Sequence, residues 1–270
     1  MDLVDKHVVI TGGSQGIGAA LATDFSARGA RVLIAARSED KLRCVAAPIV
    51  GDHLVVDLTD PEDVDSFVER CIGVLGHIDV FVNNAGVETS TSFASTDRTA
   101  IRTTARLNFE ATVLLTHDVL EHMLERGSGH IVQMSSLSGA IAFPGMATYA
   151  GTKAGITNFT ESLRLELKAV AIGLTVVSPG PTQTEMWDRI ENDEHPFVAV
   201  GLTRFRRLGF LPKLSPEKVA RDTVAAVEAD KRFVRLPKRY GAYHLLSNAP
   251  RRLVEWALIG ARFPKEDKIR

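Results

Sequence analysis

Apolar and polar positions along this chain fall into two alternating rhythms. Short runs rich in β-branched residues read as strands: "HVVI" from His7, "RVLIA" from Arg31, "HLVVD" from His53, "DVFVN" from Asp79, "HIVQMSS" from His130 and "LTVVS" from Leu174. Between them lie longer stretches with helical spacing: "IGAALATDFSARGA", "DPEDVDSFVERCIGVLG", "RTAIRTTARLNFEATVLLTHDVLEHMLERG" and "YAGTKAGITNFTESLRLELKAVAIG". This alternation predicts βαβ units, and so an α/β fold with a doubly wound parallel sheet and helices on both faces. Asp60-Pro61 supplies an N-cap and a first helical residue, with Glu62 and Asp63 in the positive first turn. Ser215-Pro216-Glu217 repeats the device before "KVARDTVAAVEAD", and "RFVRLP" reads as a last strand.

At 270 residues the chain fits one large α/β domain better than two small ones. Residues 1–236 are assigned to that domain, and 237–270 to a helical extension. Cys44 and Cys71 are the only cysteines, and the eight histidines lack the paired spacing of zinc ligands, so no metal site is expected. A reducing, cytoplasmic setting is the default, because no basic start joins a long apolar stretch at the N-terminus. Residues 131–152 carry no charge and are long enough to cross a bilayer. Ser135, Ser136, Ser138, Gly139, Pro144 and Gly145 crowd that stretch, however, which reads as strand, loop and helix start rather than a span. The net charge of −1 hides an asymmetry: residues 204–270 hold 17 Lys and Arg against 7 Asp and Glu. A basic end on an acidic body can mark an anionic surface or partner.

Ligands of such a sheet sit beyond the carboxyl ends of its strands, where the strand order reverses. After the first strand comes "TGGSQGIG", residues 11–18, with Gly12, Gly16 and Gly18. Glycine there suits a tight turn with close backbone approach, and the helix N-terminus behind it suits a phosphate; an ordinary loop is the alternative. After the second strand, the position where an acid would bond an adenosine ribose is Ala36, with Arg37 beside it. An arginine can pair with a 2′-phosphate, so NADP(H) is favoured over NAD(H). Asp57 could accept from an adenine amino group or serve as a helix cap, and Asn84-Ala85-Gly86 could pass close to a cofactor or form a plain turn. Tyr149 and Lys153 are four apart on a predicted helix and share a face. A lysine cation there would lower the phenol's ordinary value of about 10 and make Tyr149 an acid/base near neutral pH. Ser136 ends the fifth strand and could donate to a substrate oxygen. Asn108, inside the long fourth helix, could hold a local kink or a water.

Taken together, "TGGSQGIG", "DLT", "NNAG", Asn108, Ser136, "YAGTK" and "SPGPTQT" resemble the short-chain dehydrogenase/reductase family over residues 5–236, in order and in spacing. The resemblance implies a Rossmann-like fold and an NAD(P)-dependent oxidoreductase of carbonyl and secondary alcohol groups. It assigns Tyr149 to proton transfer, Ser136 to orienting the substrate oxygen, and Lys153 to the tyrosine and the nicotinamide ribose. Asn108 would hold a relay water. Cofactor contacts are implied for Gly12, Ser14, Gln15, Gly16, Ile17, Gly18, Arg37, Asp57, Leu58, Asn84, Ala85, Gly86, Tyr149, Lys153, Pro179, Gly180, Thr182 and Thr184. Alternatives are an NAD-dependent alcohol dehydrogenase of the same family and a non-catalytic dinucleotide sensor, though a sensor would have no need of the four reactive groups.

Residues 185–214 occupy the place of that family's substrate lid. Trp187, Phe197, Val198, Val200, Leu202 and Phe205 are candidates either for an apolar pocket or for the core of the lid itself; the first reading leads to an expected lipophilic substrate. The long helices around Asn108 and after Tyr149 resemble those that pair in the family's dimers and tetramers, so a homo-oligomer is expected; nothing points to nucleic acid. Beyond Pro250, Leu253, Val254, Trp256, Ala257, Leu258, Ile259 and Phe263 form an apolar surface flanked by Arg251, Arg252 and Arg262. That extension either docks on its own protein or makes a peripheral contact with an anionic membrane.

Overall fold

In the computed structural model, the described residues are 1–192, 200, 203–204, 207 and 212–237. All the expected strands form: β1 (His7–Thr11), β2 (Arg31–Ala36), β3 (Asp52–Val55), β4 (Val80–Asn83), β5 (Gly129–Met134), β6 (Ile172–Pro179) and β7 (Phe233–Leu236). They make one sheet in the order β3-β2-β1-β4-β5-β6-β7, with every neighbouring pair parallel. Parallel neighbours need crossover connections, and eight described α-helices lie between the strands. They are α1 (Gly16–Ala27), α2 (Glu39–Ile49), α3 (Pro61–Leu75), α4 (Arg98–Ala105), α5 (Ala111–Arg126), α6 (Ala147–Glu166), α7 (Glu185–Asn192) and α8 (Pro216–Glu228).

Side chains alternate along the strands between two cores, as a two-residue period requires. Val8, Ile10, Val32, Ile34, Val80 and Val82 face one layer, closed by Leu21 and Phe25 of α1, Leu42 of α2 and Val219, Val224 and Val227 of α8. Val9, Leu33, Ala35 and Phe81 face the other, closed by Phe67 of α3, Leu115 and Val119 of α5 and Leu163 of α6. Both faces of the sheet are therefore covered. The Asp60 carboxylate accepts the Glu62 N–H at 3.0 Å with Pro61 in the first turn, and Ser215 accepts the Lys218 N–H at 3.2 Å.

Two local departures from the expected elements have physical causes. α2 has no counterpart among the expected helices: Leu42 and Ala46 are buried and Val45 and Ile49 pack beside them, but the segment is short and Pro48, which breaks helices, stands in its last turn. The expected long fourth helix is interrupted by a π-helical turn over Arg106–Glu110, with the buried Asn108 at its middle. Residues 131–152 form most of β5, a 3₁₀ turn at Leu137–Gly139 and the start of α6. Among the described residues no helix is long and apolar enough to cross a membrane. Residues 238–270, with the basic amphipathic surface expected there, lie outside the described residues, as do Phe197, Val198, Leu202 and Phe205.

At the foot of the sheet the structure gathers His7, His77 and Asp79, distant in sequence, with donor atoms within 4.8 Å of one another. The Asp79 carboxylate is shared with cations there: Arg126 lies 3.2 Å and Lys6 3.8 Å from its Oδ1. His130 of β5 is buried nearer the other edge. Thr175 Oγ1 donates to the Lys231 carbonyl at 2.7 Å and so accepts from His130 Nε2 at 2.8 Å. Burial pushes the His130 imidazole down to about 4, against the raising effect of Asp230. An unfolded histidine titrates near 6.5, so between the two values the unfolded chain takes a proton that the fold refuses. Stability from this residue is thus present above pH 6.5 and lost on acidification towards pH 4, by about 3 kcal/mol in all. His130→Gln, which keeps a donor for Thr175, is expected to flatten the fall in urea midpoint between pH 7 and pH 4.5; parallel profiles for the two proteins would refute this.

Candidate active site

Strand order reverses between β1 and β4, and their carboxyl ends are stitched together. The Thr11 hydroxyl accepts the N–H groups of Asn84 and Ala85, both at 3.0 Å, and donates to the Val82 carbonyl at 3.3 Å. Asn84 Nδ2 donates to the carbonyls of Thr11 and Gly12 at 2.9 and 3.1 Å. The turn is drawn in so closely that a Cβ on Gly18 would stand 2.2 Å from the Gly12 oxygen. Gly12, at φ +66°, and Gly18 are therefore demanded by the protein's own backbone, a nearer reason than the expected approach to phosphate. Gly16 opens α1 with φ +56°. Its N-cap, Gln15, makes no side-chain capping bond, and no acid stands in the first turn. That leaves the helix N-terminus suited to an anion, so the turn fits a dinucleotide pyrophosphate. Ser14 and Gln15 lie half-buried along the turn.

The next two loops are more constrained than their sequences suggest. Arg37 is exposed at the end of β2 beside the half-buried Ala36. Asp57 Oδ1 accepts from the Thr59 N–H and hydroxyl at 3.0 and 2.8 Å, an Asx turn; the cap of α3 is Asp60. Burial pushes the Asp57 carboxyl up, but the two Thr59 bonds and the Arg37 charge outweigh it and hold it below its ordinary value. Leu58 is buried in the core, so its side chain is unavailable to a cofactor and only its backbone could serve. Lys41 of α2, which nothing in the sequence singled out, joins Gln15 Oε1 at 2.7 Å to Glu185 at the start of α7 at 3.0 Å.

Asn108, Ser136, Tyr149 and Lys153 converge, as expected. Ser136 ends β5's loop and accepts the Ser138 N–H at 3.1 Å, and its hydroxyl bonds the Tyr149 phenol. Lys153, one turn further along α6, donates to the Met134 carbonyl at 2.8 Å, with Nζ 5.8 Å from the Tyr149 ring centroid. The Ser135 hydroxyl pins α6 by bonding the Lys153 carbonyl at 2.9 Å. Gly86 brings the end of β4 against both Asn108 and Lys153.

Two expectations need correction. The phenol is not lowered: burial pushes Tyr149 up, Ser136 pulls it down, and the charge of Glu88 pushes it up again, for a net rise. Lys153 does not offset this, because burial drops its own value to about 8 and its ammonium is turned to Met134. The side chain of Asn108 does not stand open for a water. Its Oδ1 accepts the Val87 N–H at 2.8 Å and its Nδ2 donates to the Val87 carbonyl at 2.7 Å.

A pocket beside these groups is lined by Ile17, Leu137, Phe143, Met146, Trp187 and Ile190, with Ser136 and Tyr149 as polar groups in its wall. Met146, Tyr149 and Ile190 pack with Phe143, Met186 and Trp187 as one cluster, so the apolar face of α7 closes over the tyrosine. Pro179, Gly180, Thr182 and Thr184 form another wall. The Gly180 N–H bonds the Leu236 carbonyl at 2.8 Å, and the Thr182 hydroxyl bonds the Gly180 carbonyl at 3.0 Å. Thr184 is occupied as well: its hydroxyl donates to the Thr182 carbonyl at 3.2 Å and accepts the Trp187 N–H at 3.3 Å, capping α7. Of the expected lid residues Trp187 reaches this pocket; Val200 is described but half-buried, and the rest lie outside the described residues. Thr11 and Glu88 carry no pattern in the sequence, one being a lone threonine at a strand end and the other a single acid in a polar loop.

Comparison with known proteins agrees with this geometry. The sequence model of the short chain dehydrogenase family matches residues 6–195. An 11-beta-hydroxysteroid dehydrogenase of Pinus massoniana is 31% identical over 263 residues, covering 94% of this chain and 73% of its own. A 3-oxoacyl-(acyl-carrier-protein) reductase of Escherichia coli is 30% identical over 196 residues, covering 72% of this chain and 80% of its own. A crystal structure of a short chain dehydrogenase from Burkholderia cenocepacia in complex with NADP superposes with a TM-score of 0.76 at 27% identity, covering 87% of this chain and 97% of that one.

Proposed function

The chain belongs to the short chain dehydrogenase family, NAD(P)-binding oxidoreductases of CH–OH and C=O groups, and from that premise we propose that it reduces a lipophilic ketone with NADPH. The observation that carries this reading is the convergence of the Ser136 hydroxyl and the buried Tyr149 phenol on the wall of an apolar pocket, with the Lys153 ammonium 5.8 Å from the centroid of the phenol ring. A phenol held above its ordinary value keeps its proton at neutral pH, as a proton donor to a carbonyl oxygen must. Ser136, bonded to the same phenol, can donate to that oxygen and fix its direction. Lys153 stays protonated below about pH 8 and places a cation next to the ring as negative charge develops on the tyrosine oxygen. The bound dinucleotide supplies the hydride; the protein supplies position and electrostatics. Gly16 and the uncapped start of α1 would hold the pyrophosphate, and Arg37 the 2′-phosphate. The apolar lining supports a lipophilic substrate, and relatives named for a hydroxysteroid and a 3-oxoacyl group point the same way. Exposed Phe109, Leu114 and Leu165, around Asn108 and at the far end of α6, support the expected homo-oligomer.

A screen of ketones with NADPH and NADH, followed by nicotinamide absorbance, tests the activity. Within it, Arg37→Ala combined with Ala36→Asp is expected to weaken NADPH about 10- to 100-fold, the loss of one charge-assisted pair with a phosphate, while improving NADH. Equal use of both cofactors by the wild type would refute the NADP(H) preference.

A further inference from the structure

One side chain of the pocket is held by bonds that the reaction described above does not use. Trp187 of α7 packs with Met146, Tyr149 and Ile190 and lines the pocket. Its Nε1 donates to Glu191 Oε1, one turn along the helix, at 2.7 Å. The second carboxylate oxygen of Glu191 accepts from Lys213 Nζ at 2.6 Å. The Glu191 side chain is only 14% exposed, and bonds to an ionised carboxylate are the strong ones. Lys213 adjoins a residue that is itself fastened to the pocket wall. The Leu214 N–H donates to the Pro181 carbonyl at 2.8 Å, and the Leu214 carbonyl accepts the Gln183 N–H at 2.9 Å. Glu191 thus ties the indole of α7 to the backbone beside Pro181 and Thr182, which line the same pocket. An indole has one hydrogen-bonding group, its N–H. With that group given to Glu191, Trp187 meets the pocket as ring surface alone. The hydroxyls of Thr182 and Thr184 on the adjoining wall are committed to backbone carbonyls as well.

We propose that Trp187 is a specificity-determining residue and Glu191 the positioning residue that fixes its ring, so that the site selects ketones with a bulky, apolar ring body over small ones. The inference rests on the reduction of ketones at this site. A tryptophan side chain turns about two torsions, and its place in a helix leaves more than one rotamer open. The bond from Nε1 to Glu191 singles out one of them before a substrate arrives. A ring already ordered against Tyr149 offers its face to a large apolar body without a further loss of side-chain entropy on binding. Phe143, Met146 and Met186 extend that surface, and aromatic and thioether groups pack well on a flat ring. A ketone too small to reach the indole gains nothing from it.

Two measurements test this. The chain has two tryptophans, Trp187 and Trp256, so in a Trp256→Phe parent the emission reports Trp187 alone. Glu191→Leu is expected to shift that emission and to raise its quenching by acrylamide. Glu191→Gln, which keeps a carbonyl oxygen for the indole N–H, is expected to match the parent. Turnover with NADPH then compares α-tetralone, the bulky ketone, with cyclopentanone, the small one. Glu191→Leu is expected to lower the ratio of their kcat/KM values about 10-fold, through KM rather than kcat, and Glu191→Gln to restore it. Emission and quenching unchanged in Glu191→Leu overturn the inference, as does a ratio equal to the parent's. A parent that prefers cyclopentanone overturns it too. Should Glu191→Leu fail to fold by circular dichroism, Trp187→Phe decides the matter: it removes the bonded N–H and part of the ring surface, and a ratio equal to the parent's there overturns the inference. The underlying reading fails separately, if the wild type reduces no ketone of the screen or if Tyr149→Phe retains turnover; the emission measurements do not depend on it.

Discussion

Tyr149→Phe is expected to lower turnover about 10²- to 10⁴-fold, the range of a single positioned general acid, while leaving dinucleotide affinity nearly unchanged. The substitution deletes one oxygen and keeps the ring. That ring packs with Met146 and Ile190, and against Phe143, Met186 and Trp187, contacts that phenylalanine preserves. The lost bond is to Ser136, whose hydroxyl still accepts the Ser138 N–H and so keeps its place. Neither the glycine turn nor the Thr11–Asn84 stitch involves the phenol, so the cofactor cradle is untouched. Single-turnover mixing with NADPH separates the two effects, because binding changes nicotinamide fluorescence before any hydride moves. A variant that binds NADPH and still turns over at the wild-type rate would take Tyr149 out of the chemistry.

The architecture was legible because its signals are periodic. β-branched runs that recur every 21 to 61 residues, and the Asp60-Pro61 and Ser215-Pro216 starts, are local physics that tertiary structure did not override. α2 was illegible for a different reason: a proline stands inside a short segment, and packing of Leu42, Val45, Ala46 and Ile49 on the core makes the helix. At the site, residue types and spacing disclosed which side chains meet but not what each would be bonded to. Asn108 sits where it was expected, yet its amide is committed to Val87. Thr184 sits on the pocket wall, yet its hydroxyl caps α7. The sign of the tyrosine's displacement was misread because spacing puts Lys153 near the ring without showing that burial acts on both groups, or that Glu88 stands alongside. Charge balance in a buried site depends on every neighbour, and those neighbours come from β4, β5, α6 and α7 at once.

Lys153→Ala carries the second large effect, and its pH dependence distinguishes a catalytic lysine from a packing one. The backbone should hold, since the Lys153 carbonyl is bonded by Ser135 and Thr157 at 2.9 and 3.0 Å whatever the side chain. The change removes a cation 5.8 Å from the tyrosine ring and leaves the Met134 carbonyl without its donor. At pH 7 turnover is expected to fall by about 10²-fold or more, and NADPH affinity by about 10-fold, the worth of one charge-assisted hydrogen bond. Burial holds the wild-type ammonium at about 8, so above that pH the wild type surrenders the same charge by titration. The ratio of wild-type to variant turnover should therefore narrow between pH 7 and pH 9.5. Stability moves in a direction fixed by the same displacement. An unfolded lysine titrates near 10.4, so between about 8 and that value the unfolded chain holds a proton that the fold has released. Folding of the wild type is penalised below pH 8, where the ammonium is charged and buried, and the penalty lifts as pH rises towards 10.4. The alanine variant lacks that term, so the difference in urea midpoint between wild type and variant should shift in favour of the wild type over that interval. A turnover ratio that is constant with pH, alongside this stability shift, would leave Lys153 a buried packing residue and deny it a part in the reaction.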